Sequence, residues 1–335
     1  MNIAVVILNY NGRKLLETYL PSIVQYSGEA EVLVVDNAST DDSVDLLKRK
    51  FPGVKCVVNA ENTGYAGGYN EGLKSIEADI YVLINSDVRV TEGWLSPMVH
   101  AFAADPQLAA AQPVILDDKN PERYEYAGAA GGFIDRFGYP FCRGRVFDTL
   151  EKENPQYNHI IDCFWASGAC MAVRSSVFQE MGGFYPHYFA HMEEIDLCWR
   201  LQSAGYKVQC LTKSKVYHLG GGTLTYQNPR KVYLNFRNNL IMMGRLLPHR
   251  DRIRVVFSRM VLDGISAIRF LLTGEFGYFK AILKAHMDYY QHLGAIKRYR
   301  RQRKDAEWRM LKGRYKGSIV WNYFVKGKKR FSDFI

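Results

Sequence analysis

The chain has 335 residues, 47% hydrophobic and 13% aromatic, enough to bury a large core and too apolar for a disordered protein. Its six cysteines are scattered with no C-x-x-C pair, a pattern that fits reduced thiols in a cytoplasmic protein rather than a disulfide framework. The net charge of +10 is unevenly placed: residues 1–244 hold 22 basic against 27 acidic side chains, while residues 245–335 hold 22 against 7, which predicts a polyanionic partner for the tail.

The opening residues MNIAVVILNYNG carry no basic segment and no small-residue cleavage site, so they read as a strand and not as a signal peptide. No uncharged run reaches the ~18 residues of a membrane span. Apolar, β-branched runs recur at Ile3 to Leu8, Glu31 to Val35, Val54 to Val58 and Asp79 to Ile84. Helical spacing lies between them, at Leu15-Leu16-Tyr19-Leu20-Ile23, at Val44-Leu46-Leu47-Phe51 behind the capping stretch Ser39 to Asp42, and at Ala66 to Ile76. This alternation predicts an α/β fold on a mostly parallel sheet, with ligands beyond the carboxyl ends of the strands. Those ends are polar: Asn9-Tyr10-Asn11-Gly12, Asp36-Asn37-Ala38-Ser39, the Glu61 to Asn70 stretch, and Asn85-Ser86-Asp87. One such end is an ordinary turn, whereas four on one edge predict a lined cleft.

Further along, Gly128 to Gly144 reads as a loop or short hairpin, Cys163 to Val173 as a strand region, and Lys207 to Leu211 and Ser214 to His218 as two short strands. The glycine-rich stretch Gly220 to Thr223 predicts a flexible loop, and the pattern from Arg230 onward is helical. A carboxylate at a strand end, Asp87, invites a hard divalent cation that completes its shell with substrate phosphates and water. The acids Glu193, Glu194 and Asp196 crowd a predicted first helical turn. Phe189, Met192, Leu197 and Trp199 make that setting apolar, so Glu193 or Glu194 suits a general base with a raised pKa. His218, before the glycine loop, can ligate the metal or touch phosphate. One carboxylate base, a metal and a diphosphate-sized cleft fit group transfer from an activated donor better than glycoside hydrolysis, which needs a carboxyl pair.

With V-I-L-N-Y-N-G, V-V-D-N-A-S-T-D (34–41), E-N-T-G-Y-A-G-G-Y-N-E-G (61–72), L-I-N-S-D-V (83–88), W-A-S-G-A (165–169), M-E-E-I-D-L-C-W-R (192–200) and Y-H-L-G-G-G-T (217–223) in order, the chain resembles glycosyltransferase family 2, in its bacterial rhamnosyltransferase-like branch. The resemblance implies a GT-A fold with a mixed, mostly parallel central sheet. Residues 1–245 would form the catalytic domain, 1–100 as the nucleotide-sugar half and 101–245 as the acceptor half, and 246–335 a basic helical extension. It implies inverting transfer of a sugar, rhamnose favoured, from a nucleotide-diphospho-sugar with Mg²⁺ or Mn²⁺. On the donor side it implies Asn9, Tyr10 stacked on the base, Asp36 bonded to it, Asn62, Gly64, Gly67, Asn85 and Ser86. It implies Asp87 and His218 as metal ligands and Glu194 as the base, with Glu193 the alternative. Trp165, Arg237 and Asn238 are placed toward acceptor or diphosphate, and Asp196, with Arg200, as structural or acceptor-side. Asn85 departs from the family's first acid, and Glu194 stands where the family has Asp.

In the tail, Ile253, Val256, Phe257, Met260 and Val261 recur at helix spacing, then Ile265, Ile268, Leu271 and Leu272, then Phe276 to Tyr290. The basic block Lys297 to Lys304, with Trp308, Trp321, Phe324 and Phe331, predicts contact with an anionic membrane surface, suiting a lipid-linked or growing polysaccharide acceptor at the inner face of the cytoplasmic membrane. The competing arrangement packs these helices on the catalytic domain or a second subunit as a homo-oligomer. Nucleic acid is disfavoured, because no recognisable module accompanies the basic block. The alternative functions are a nucleotidyltransferase, which would carry a basic phosphate loop after the first strand, and an inactive sugar- or nucleic-acid-binding scaffold.

Overall fold

The structure is a computed structural model that describes residues 1–220, 228–302 and 307–334. The amino-terminal half alternates strand and helix as predicted: β1 Ile3–Asn9, α1 Arg13–Tyr26, β2 Glu31–Asp36, α2 Ser43–Lys50, β3 Lys55–Val58, α3 Gly64–Gly72, β4 Ile80–Asn85, β5 Val88–Val90 and α4 Ser96–Ala104. Next come β6 Leu108–Asp117, the short strands β7 Gly132–Ile134, β8 Pro140–Cys142, β9 Arg145–Val146, β10 Thr149–Leu150 and β11 Ile161–Asp162, then β12 Cys170–Arg174, α5 Ser175–Glu180, α6 Glu193–Ser203 and β13 Lys207–His218. Four helices close the chain: α7 Pro229–Leu246, α8 His249–Leu272, α9 Phe276–Gln291 and α10 Leu293–Arg301.

The main sheet runs β11-β13-β6-β12-β4-β1-β2-β3, with β5 added on β13. Strands β3, β2, β1 and β4 are mutually parallel, and β12 is antiparallel to both β4 and β6. Side chains alternate across each strand, so a run buried on both faces must feed two cores. Ala4 and Val6, Leu33 and Val35, and Tyr81 and Leu83 enter one core; Val5 and Ile7, Val34, and Val82 and Ile84 enter the other. The two short strands expected at 207–218 are one strand, with a register shift between Leu211 and Lys215 where the intervening residues bulge. Gly128 to Gly144 is more than a hairpin, since β7 to β10 build a second, four-stranded antiparallel sheet.

The tail packs back on the body. Ile319, Tyr323 and Phe331 join Phe133, Phe141 and Val146 in a third apolar cluster, and Trp308 stacks on Trp199 at 5.5 Å. Trp308 and Phe331, expected at a membrane interface, are therefore core residues, whereas Trp321 and Phe324 are exposed. From the basic block, Arg300 donates to the carbonyls of Arg245 and Leu247 at the end of α7. Lys304 and the stretch Gly221 to Thr223 lie outside the described residues. Among the described residues no helix is long and apolar enough to cross a membrane.

Candidate active site

The carboxyl ends of β1, β2 and β4 lie side by side, with Asn9 opposite Asp36 and Leu8 opposite Asn85. Asn9 Nδ2 donates to Asp36 Oδ2 at 2.9 Å, and Ser39 satisfies both oxygens of Asp36 through its backbone N–H at 2.8 Å and its hydroxyl at 2.7 Å. Asp36 is thereby fixed and buried, while the neighbouring Tyr10 ring is 42% exposed and free to stack on a planar base. Asn9 Oδ1 is buried with no partner among the described residues. A Cβ at Gly12 would lie 2.4 Å from that oxygen, so only glycine lets the turn close here. Asn62 accepts from Asn37 Nδ2 at 2.9 Å and from the Gly64 N–H at 2.9 Å, which pins the loop that opens α3. Gly64, at φ +76°, comes so close to Phe189 that a Cβ would meet its carbonyl at 2.4 Å, and Gly67 packs on Thr63. Of these two glycines, expected to line the nucleotide pocket, Gly64 seats α3 against the Phe189 turn and Gly67 packs on the N-cap of its own helix.

Sheet register builds the second half of the site. β5 and β13 pair with Val88 opposite His218, which sets Asp87 beside the imidazole. Nε2 of His218 is 3.1 Å from Asp87 Oδ1, and Nδ1 is 3.2 Å from Glu125 Oε2. Asn85 Nδ2 is 3.5 Å from the same Nε2, beside the pair and not in it. Burial alone would depress the His218 pKa, but hydrogen bonds and charge from Asp87 and Glu125 overcome it and raise it to about 10. Among the described residues no group of three or more His, Cys, Asp and Glu could hold a metal. Asp87 and His218 are nonetheless spaced as neighbouring ligands of an octahedral cation, whose adjacent donors stand about 3 Å apart for bonds of ~2.1 Å. Glu125 stands where a second-layer carboxylate orients a ligating histidine. With its pKa raised, His218 is protonated and bridges Asp87 and Glu125, so a hard divalent cation held by Asp87 and His218 would displace the Nε2 proton and would take its remaining ligands from diphosphate and water.

Next to α3, whose Gly64 abuts Phe189, α6 begins with the predicted acids. Glu193 is buried; Glu194 is partly exposed, and its Oε2 has no partner among the described residues. Burial raises Glu194 to about 7, and burial plus the charge of Glu194 raises Glu193 well above the carboxylate range. The two carboxyls titrate as a coupled pair, both held above the ordinary range, and Glu194 is the more exposed of the two.

The backbone entering α6 is strained: Phe189, His191 and Met192 have φ of +65°, +70° and +73°. Each such residue costs about 1–2 kcal/mol. The restraint comes from α7. Asn238 Nδ2 donates to the carbonyls of Tyr188, Ala190 and His191 at 3.0, 2.8 and 2.8 Å, and Arg237 Nη2 to those of His187 and Tyr188 at 2.9 and 3.1 Å. Arg237 and Asn238 were expected on the diphosphate; here Asn238 Nδ2 and Arg237 Nη2 are spent on the carbonyls of this turn, and the Nε and Nη1 of Arg237 donate to Asn238 Oδ1 at 2.9 Å and Tyr233 OH at 3.1 Å.

Of the two roles expected for Asp196, structural or acceptor-side, the first fits its surroundings, while Trp165 departs from its expected place. Asp196 is fully buried, bonded to Arg200 at 2.6 Å, Tyr188 at 2.7 Å and Arg245. Burial pushes its pKa up, the two arginines outweigh that and hold it low, and the group is a structural anchor. Trp165, expected to offer an aromatic face to the acceptor, is buried with Nε1 donating to Phe133 O at 2.9 Å and its ring against Gly132, where no Cβ would fit. The structure adds Glu125 and Arg145, neither of which stands in a motif. Arg145 is buried with its guanidinium 4.2 Å over the Tyr126 ring, and its Nε has no partner among the described residues.

Residues 4–182, more than half of the chain, match the family described as Glycosyl transferase family 2. An N-acetylglucosaminyl-diphospho-decaprenol L-rhamnosyltransferase of Mycobacterium tuberculosis is 27% identical over 233 residues, 64% of this chain and 75% of that protein. A low-salt glycan biosynthesis hexosyltransferase of Haloferax volcanii is 22% identical over 83% of this chain and 87% of its own. Among solved structures, GalNAc-T7 with UDP, GalNAc and Mn²⁺ matches at a TM-score of 0.58 and 18% identity, over 74% of this chain and 48% of that one. A mannosyltransferase from Pyrobaculum calidifontis in complex with GDP-Man and Mn²⁺ matches at 0.52 and 14% identity, over 86% of both chains. These likenesses carry the GT-A-like fold, a mixed sheet with helices and a helical carboxyl-terminal region.

Proposed function

The chain belongs to glycosyl transferase family 2 and is a glycosyltransferase, and we propose that it works by inversion, from a nucleotide-diphospho-sugar to a hydroxyl of a lipid-linked acceptor. The observation that carries the reading is Glu194: a partly exposed carboxylate at the start of α6, one oxygen unpaired, titrating near neutrality because burial opposes its charge. Such a group can take a proton from a hydroxyl at physiological pH. Asp36 and Tyr10 would hold the base, Asn9 and Asn62 shape the turns around it, and Asp87 and His218 would hold Mg²⁺ or Mn²⁺. The cation, when bound, neutralises charge growing on the leaving diphosphate. Glu194 accepts the acceptor's hydroxyl proton as that oxygen bonds to the anomeric carbon. The bond to the nucleoside diphosphate breaks on the opposite face, and the configuration inverts.

Rhamnose is the favoured sugar, because a curated relative is named a rhamnosyltransferase whose acceptor is a diphospho-decaprenol-linked sugar. An acceptor of that kind places the enzyme at the inner face of the cytoplasmic membrane as a peripheral protein. The test is nucleoside diphosphate release from a panel of nucleotide sugars with Mn²⁺, Mg²⁺ or EDTA, with Glu194→Gln beside the native protein. Metal-dependent release from one donor, lost in the variant, is expected. Pyrophosphate release would point to a nucleotidyltransferase, and failure to bind any donor to a scaffold.

A further inference from the structure

Helix α8 is inside out. Its buried side carries Asp251, Arg259 and Asp263 beside Val255, Val256 and Ala267. Arg259 bonds Asp263 at 2.7 Å and Asn239 at 2.6 Å, and Asp251 accepts from Trp308 Nε1 at 3.2 Å. Its outer side carries Ile253, Phe257, Val261, Ile265, Ile268 and Leu272, all exposed, at 70, 67, 49, 60, 57 and 81%. At 100° per residue these six fall within about a third of the helix circumference. Between Arg254 and Arg269 no exposed residue of α8 is charged. α9, packed against α8, continues the surface with exposed Phe276, Leu283 and Met287, flanked by exposed Lys280 and Lys284.

A 24-residue helix that buries three charged side chains and turns its large apolar side chains outward expects an apolar medium on its outer side. The choice of medium follows from charge. The segment 245–335 carries 22 basic against 7 acidic side chains, so mating this face with a second copy sets like charges together. A bilayer with anionic headgroups offers both an apolar interior for the stripe and counter-charge for the exposed Arg254, Arg269 and Lys280, whereas Arg250 already pairs with Glu307 at 2.6 Å. We propose that the outer face of α8 and α9 docks flat on an anionic lipid bilayer. The inference extends the peripheral location proposed above and replaces the basic block and buried tail aromatics with a defined surface.

Flotation of the full chain with vesicles of zwitterionic lipid alone, or with about a third anionic lipid, tests it, with donor turnover measured on the same samples. The native protein is expected to float with anionic vesicles and to lose part of that binding at high salt. Phe257→Ser, Ile265→Ser and Leu272→Ser combined should lower partitioning at least ~100-fold with unchanged melting temperature, since all three are exposed. Arg254→Gln with Arg269→Gln should remove only the anionic increment, about fivefold each. Absence of flotation, or undiminished flotation of the triple serine variant, overturns the proposal. So does a dimer in sedimentation that the serine variant dissolves, which would assign the face to a second copy. Lost flotation with intact turnover fails the surface alone; intact flotation with no turnover fails the transferase reading.

Discussion

The sharpest consequence of the site is a pH profile. Glu194 titrates at about 7 because burial penalises its charged form. A general base works only when ionised, so kcat/KM rises with pH through that value. About a tenth of the enzyme carries the base form at pH 6 and about nine tenths at pH 8, which predicts a tenfold change between them and a plateau above. Glu194→Gln removes the base and should cut kcat by 10²- to 10⁴-fold, roughly the worth of general base catalysis. Glu193→Gln should leave the rate within about threefold and an ascending limb in place, because Glu194 supplies the base and remains. Its effect is on stability. A carboxyl whose folded pKa is raised holds its full contribution below the unfolded pKa of ~4.4 and loses it as pH climbs toward the folded value. Glu193→Gln should therefore melt higher than the native protein at pH 8 and about equally at pH 4. Initial rates of diphosphate release from pH 5.5 to 9, at saturating metal, check the first claim, and calorimetry checks the second. A profile flat from pH 6 to 8, or a Glu193→Gln variant as dead as Glu194→Gln, would refute the assignment.

Asp87→Ala should abolish metal-stimulated release while the circular dichroism spectrum is retained; release that still responds to EDTA in this variant would move the cation elsewhere. Asn238→Ala removes the amide that holds three carbonyls before α6, and should cost about 2–3 kcal/mol of stability and lower kcat more than it raises KM, measured by denaturation and steady-state kinetics. Trp165→Phe deletes one buried hydrogen bond and should cost about 1 kcal/mol with the acceptor KM unchanged. A tenfold rise in that KM would restore the ring to the acceptor site.

The amino-terminal half was legible because period-two burial and helical spacing alternate cleanly, and the alternation itself says which strand ends share an edge. Asn9, Asp36 and Asn85 could be placed on one edge for that reason alone. Asp87 and His218 were readable as separate candidates, but their 3.1 Å separation depends on the β5–β13 register across more than a hundred residues. Glu125 was invisible because nothing local marks it, and only the path of β6 and the following turn carries it to Nδ1 of His218. Arg237 and Asn238 misled because a guanidinium beside an amide suits phosphate and backbone carbonyls of opposite need equally well: both bring donors, and the sequence does not say which acceptor packs against α7. The same ambiguity of partner governs α8. Its spacing placed Ile253, Val256, Phe257, Met260 and Val261 on one apolar face, but Val256 is buried and Ile253 and Phe257 are exposed. A helix apolar on two sides has no inner side until something polar chooses one. Here Arg259 and Asp263 choose it, by pairing with each other and with Asn239 beneath. The side opposite the ion pair is left outward, and its character is a consequence of which groups the body needed to hold.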